Sequence, residues 1–132
     1  MSTVRAMEEE GHPMQTVDLK KGLKHLYSPS AKEPTLVDVP AMQFVMIDGA
    51  IEEEQTPSTS PGFQEVMQAL YGAAYTLKFM SKKRKENPVD YPVMPLEGLW
   101  WVEDGHFDIA SPGNWHYTLM IMKPAHITAE MF

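Results

Sequence analysis

The chain has 132 residues, no cysteine and a formal net charge of -7, with 43% hydrophobic and 22% charged residues. That composition fits one globular domain with enough core to fold unaided, and it excludes a disulfide framework, thiol catalysis and cysteine metal sites. The acidic balance opposes binding to nucleic acid or anionic membranes; it either favours neutral and cationic ligands or only keeps the chain soluble.

No apolar run reaches the roughly 20 residues of a membrane span. The opening MSTVRAMEEEGHPM carries an acidic triplet and no signal-peptide core, so the chain reads as soluble and cytoplasmic. Residues 1–15 read as a flexible lead and 16–132 as the folded module. Asp18 caps a short helix over LKKGLKHLY, which Gly22 weakens and Ser28-Pro29-Ser30 ends. TLVDV at 35–39 has strand character, Pro40 interrupts it, and MQFVMIDG at 42–49 resumes as a strand. Both faces of that second strand are apolar, so it is expected to be covered on both sides for part of its length. In the loop AIEEEQTPSTS, Glu52, Glu53 and Glu54 read as solvated.

Ser60 as N-cap and Pro61 in the first turn open a long helix running to about Arg84. Phe63, Val66, Met67, Leu70, Ala74 and Leu77 recur at helical spacing as its buried stripe, and Lys82, Lys83, Arg84 and Lys85 complement the dipole at its end. Asn87-Pro88 stops it. YPVMPLEGLWWVE at 91–103 and WHYTLMIMK at 115–123 read as strands separated by a loop, and Thr128 as the N-cap of a further helix. The order strand, helix, strand, strand predicts an α+β module: an antiparallel sheet with one long helix packed on it.

Candidate chemistry concentrates on the strand at 91–103. Alternation puts Glu97, Leu99 and Trp101 on one face and Gly98, Trp100 and Val102 on the other. Glu97 is either a surface glutamate or a half-buried carboxylate able to bind a cation, accept hydrogen bonds or act as a general acid or base. Of Trp100 and Trp101, one can fill the core under the helix; the other must cover a pocket, an interface or solvent. Tyr71 and Tyr75, four residues apart, flank the helix stripe, either as ordinary boundary residues or as a cleft wall. Eleven methionines beside 13 aromatic residues describe either an adaptable core or a lining for flat molecules. His12, His25, His106, His116 and His126 lack metal-ligand spacing, and the sequence has no Gly-rich phosphate loop, so neither a metal nor a cofactor is expected.

The segments DLKKGLKHLYSPS, LVDVPAMQFVMIDG, SPGFQEVMQALYGAAYTLKFM, YPVMPLEGLWWV and WHYTLMIMKP closely resemble the first half of the GyrI-like small-molecule-binding proteins, over about residues 18–132. PLEGLWW and ALYGAAYTLKFM resemble one branch in particular, which includes proteins similar to cyclopropanoid cyclopropyl hydrolases that detoxify DNA-alkylating compounds. The resemblance implies half of a tandem fold, two strand-helix-strand-strand modules about a pseudo-two-fold axis. It places the ligand between the modules, with Tyr71, Tyr75, Glu97, Trp100 and Trp101 at or near the cleft. Members of the branch carry a second module, with an acidic residue and half of the cleft, beyond the position matching the end of this sequence. The corresponding expectation here is a homodimer in which a second copy completes the cleft. Three functions follow: binding of a small aromatic or cationic organic ligand, hydrolysis of a strained electrophile with Glu97 catalytic, or a protein-binding adaptor.

Overall fold

The computed structural model describes residues 14–128 and Met131. The expected lead at 1–15 lies almost wholly outside the described residues, as does most of the helix expected after Thr128. The chain starts with β1 (Gln15–Thr16), followed by two single-turn helices, α1 (Leu19–Gly22) and α2 (Lys24–Tyr27). The Asp18 carboxylate accepts from the Lys21 N–H at 3.1 Å and caps α1 as its sequence position predicts. Gly22 follows the three residues that precede it into one turn only, and the helix is re-started at Lys24 rather than continued.

The strand expected at 35–39 does not form. Residues 34–42 carry no regular structure, because TLVDV, bracketed by Pro34 and Pro40, has no neighbouring strand to receive its N–H and C=O groups. The next strand, β2 (Gln43–Ala50), forms where expected. After it, the loop at 51–60 differs from its reading in one respect. Glu52 accepts from the Ser60 hydroxyl, and from the Gly62 N–H at 3.0 Å, while Ser60 Oγ accepts from the Phe63 N–H at 3.0 Å. Glu52 is therefore part of the cap of the long helix α3 (Pro61–Lys82), where a carboxylate complements the free N–H groups and the positive dipole end. These bonds, that of Ser60 foremost, hold its carboxyl below the ordinary value of 4.5.

Past α3, the two-residue strand β3 (Val89–Asp90) pairs in parallel with β1, an association the sequence did not announce. The strand expected to begin at residue 91 starts only at Leu96, as β4 (Leu96–Trp101), since Pro92 and Pro95 cannot donate to a ladder. The last strand, β5 (His116–Lys123), is the central one, giving the antiparallel order β2-β5-β4. Its register sets Val45 opposite Ile121, Trp100 opposite Tyr117 and Gly98 opposite Leu119. β5 is flanked on both edges and is the most buried of the three strands.

Helix α3 lies on one face of this sheet. Leu70, Ala74 and Leu77 are buried against Val45, Tyr117, Leu119 and Ile121. Removing each of these large side chains from water stabilises the fold by about 2 kcal/mol before the entropy of ordering it is counted. The opposite face carries Met46, Leu99, Trp101, Thr118, Met120 and Glu97, and the segment between Leu19 and Met42 reaches its Glu97 end.

Candidate functional site

A cleft of about 530 Å3 opens between the end of β4 and the segment 25–42. Its walls are mainly apolar, from Pro29, Pro34, Val37, Val39, Met42 and Pro95; among the described residues the titratable groups on it are His25, Tyr27, Glu33 and Glu97, and no lysine or arginine lines it. The alternation of the failed strand survives here: Thr35, Val37 and Val39 line the cleft, while Leu36 between them is fully exposed.

Glu97 is half-buried on the face of β4 away from α3, sharing that face with Leu99 and Trp101 as the alternation expects. Its Oε2 accepts a hydrogen bond from the Tyr27 hydroxyl at 2.8 Å. Burial, and then the bond to Glu97 and its negative charge, push the Tyr27 phenol far above its usual range, so it holds its proton and acts as donor. Such an arrangement can orient a carboxylate toward a bound molecule, offset a positive group or receive a proton from a water. Tyr27 was missed by the sequence reading. The pair is 70 residues apart in the chain, and the only local signal was a tyrosine ending a short amphipathic stretch.

The structure does not bring the other candidates to this cleft. Trp100 points under α3, with its ring 5.5 Å from Phe63, 5.3 Å from Tyr117 and 5.7 Å from Trp115. It is the tryptophan that fills the core, and it explains Gly98: a Cβ there would sit 2.8 Å from the Trp100 indole nitrogen and 3.3 Å from Leu119. Trp101 projects from the Glu97 face, 42% exposed, and stacks on His116 at 5.9 Å. Tyr71 is half-buried against the core on α3 and Tyr75 is exposed on the same helix. Because α3 and Glu97 occupy opposite faces of the sheet, the two tyrosines and Glu97 do not share one surface within a single chain.

Two further clusters carry polar chemistry. Ser81 Oγ lies 2.8 Å from His126 Nε2, but Ser81 is completely buried and its hydroxyl donates to the Val89 carbonyl at 2.7 Å. His126 Nε2 must then be the donor in their bond, which makes the pair a tie between helix end and terminal turn rather than an activated nucleophile. Burial, with Arg84 and Lys123 nearby, lowers the His126 pKa. A second cleft, among Glu103, Asp104, His106, Asp108 and His116, is polar, with His116 Nε2 3.4 Å from Glu103. Among the described residues no three His, Asp or Glu side chains converge in a way that could hold a metal ion, and no helix is long and apolar enough to cross a membrane.

No protein-family model matches the chain, and no curated protein does. Solved structures do. A crystal structure of an uncharacterized conserved protein from Listeria innocua is 36% identical with a TM-score of 0.73, over 86% of this chain and 53% of its own. Two crystal structures described as hydrolases from the same organism match at 35% identity and TM-score 0.72, over 88% of this chain and 54% of theirs, and at 33% and 0.66, over 86% and 52%. This chain thus spans about half the length of the structures it matches, which fits half of a tandem fold.

Proposed function

We propose that this chain is a GyrI-like module that binds a small organic molecule, flat or apolar in its body, in the cleft beside Glu97. The observation that carries the reading is the Tyr27–Glu97 pair at 2.8 Å, set at the edge of a mainly apolar cleft that, among the described residues, no lysine or arginine lines. A ligand's apolar body finds the prolines, Val37, Val39 and Met42, and its polar or positive group finds the carboxylate. Calorimetric titration with the flat cation 9-aminoacridine and its neutral parent acridine tests this. Glu97→Gln is expected to weaken the cation about tenfold and acridine much less, since it removes charge and preserves shape. Equal losses for both compounds would remove Glu97 from the site.

Two observations extend the reading. Met46 at 52%, Leu99 at 56% and Trp101 at 42% exposure stand together on the Glu97 face of the sheet. Covering them with a second copy of the chain would place a second Glu97 and Trp101 near the first; a stable monomer in light scattering at micromolar concentration ends that proposal. Hydrolysis is the alternative to simple binding, favoured by the two matched structures described as hydrolases. In it, Glu97 takes a proton from the water that attacks a strained electrophilic carbon, as in a cyclopropane-bearing alkylator. The carbon–carbon bond that breaks leaves its electron pair on the ligand. Turnover of such a compound that is undiminished in Glu97→Gln would exclude this role. Nothing in the geometry favours the adaptor.

A further inference from the structure

Tyr27 reaches Glu97 through a dedicated piece of chain. Its own N–H bonds to the Leu23 carbonyl at 3.0 Å and the following N–H, of Ser28, to Lys24 at 2.8 Å, closing α2 at the point where the phenol leaves it. Ahead of it, α1 is anchored by the Asp18 cap. Leu19, Leu23 and Tyr27 all pack on the core. The phenol is therefore held by backbone bonds and by packing, and does not swing freely over the carboxylate.

An ionised carboxylate offers two oxygens and only accepts. Here one lone pair of Oε2 accepts from Tyr27. Among the described residues Oε1 has no protein partner, and Glu97, half-buried, borders the cleft with this oxygen open to solvent or a ligand. The titratable groups facing the same space are His25 and Tyr27 from α2 and Glu33 from the segment after it; across the sheet the residue opposite Glu97 is Met120. Among the described residues no lysine or arginine lines the cleft to compete for Oε1.

We infer that Tyr27 is a positioning and specificity-determining residue: by engaging one lone pair of Oε2 it leaves Oε1 the stronger acceptor of Glu97, which favours a ligand with one hydrogen-bond donor, such as an ammonium or hydroxyl group, over a forked amidine or guanidine. The inference rests on the cleft reading above and sharpens it. A planar fork gains its advantage from two parallel N–H···O bonds to both carboxylate oxygens. With one lone pair of Oε2 already engaged by Tyr27, the second N–H of a fork meets a weakened and crowded acceptor, and its advantage shrinks.

The test compares two probes with the same ring and the same charge, 2-(aminomethyl)naphthalene and 2-naphthamidine, by calorimetric titration of the whole chain. The wild type is expected to bind the ammonium at least as tightly as the amidine. Tyr27→Phe keeps the ring and its packing but uncovers Oε2, and is expected to move the affinity ratio toward the amidine by about tenfold. Loosening of the cleft alone would weaken both probes together and leave the ratio unchanged, and that result overturns the inference while the cleft reading stands. The wild-type measurement decides independently of how well the variant folds: a wild-type preference for the amidine also overturns it. Failure of both probes to bind the wild type would overturn the cleft reading and this inference with it.

Discussion

The two faces of the sheet are built from alternate residues of the same three strands, and they come out differently. Toward α3, Tyr117, Leu119 and Ile121 are each at most 2% exposed, and Trp100 sits in a cluster of four aromatic rings with Phe63, Trp115 and Tyr117. On the other side, Met46, Leu99 and Trp101 are about half exposed, though they are no less apolar in type. The open face also carries the polar residues Asp48, Glu97, His116 and Thr118, but its apolar residues differ from those opposite in what lies over them and not in type. A 22-residue helix with an apolar stripe closes one face. Two single turns and an extended segment cover only the Glu97 end of the other, and the gap they leave is the cleft. A polar pair is stable at that edge because a half-buried carboxylate there meets a phenol as well as solvent.

Substitution on the two faces should expose the contrast most strongly in stability. Leu70, fully buried, is expected to cost about 3 kcal/mol on replacement by Ala, through lost transfer energy and the cavity left behind. Gly98→Ala should cost about 2 kcal/mol, because the new methyl group displaces the Trp100 indole. Leu99→Ser, one residue further along the same strand but on the open face, should cost less than about 0.5 kcal/mol. Urea denaturation of the three variants checks the order, and a Leu99→Ser loss as large as that of Leu70→Ala would mean the open face is covered in solution. If that loss also shrank with dilution, the cover would be a second copy of the chain.

A smaller effect separates the capped end of α3 from the cleft. The folded-state pKa of Glu52 is depressed, so its contribution to stability is complete above the ordinary glutamate value of 4.5 and disappears as pH falls through the lower folded value. Glu52→Gln should therefore flatten the acid limb of the stability profile below about pH 4.5 and leave the profile near neutrality with the same slope. Parallel acid limbs for the two proteins, followed by urea midpoint against pH, would show that the Ser60 and Gly62 bonds to Glu52 do not set its ionisation.

Much of this was legible from residue order. The Ser60-Pro61 opening of α3, its stripe, the β5 strand and the opposite orientation of Trp100 and Trp101 are local periodicities of 3.6 and 2, and local sterics enforce them whatever the rest of the chain does. The face that Glu97 shares with Leu99 and Trp101 was legible for the same reason, an acid at a fixed parity in an apolar strand. What periodicity could not decide was which tryptophan lay under the helix, because parity says that two residues diverge and not toward what. The structure answers through Phe63, which meets Trp100 across the α3 face.

The strand expected at TLVDV shows the opposite failure: its residues suit a strand, but a strand is a property of two chains segments lying side by side, and no neighbour comes. Tyr27 and Glu97 show the same dependence on distant chain. Either residue is ordinary where it stands in the sequence, and their hydrogen bond exists because the Asp18 cap and the turn at Leu23 bring the N-terminal segment across the open sheet face. The sequence by itself determined the helix, the three strands and the faces their side chains take, because those depend on neighbours within one or two turns. Only the tertiary structure decided that one face would close and the other hold a cleft with a tyrosine over a carboxylate, because covering a sheet depends on where remote segments come to rest.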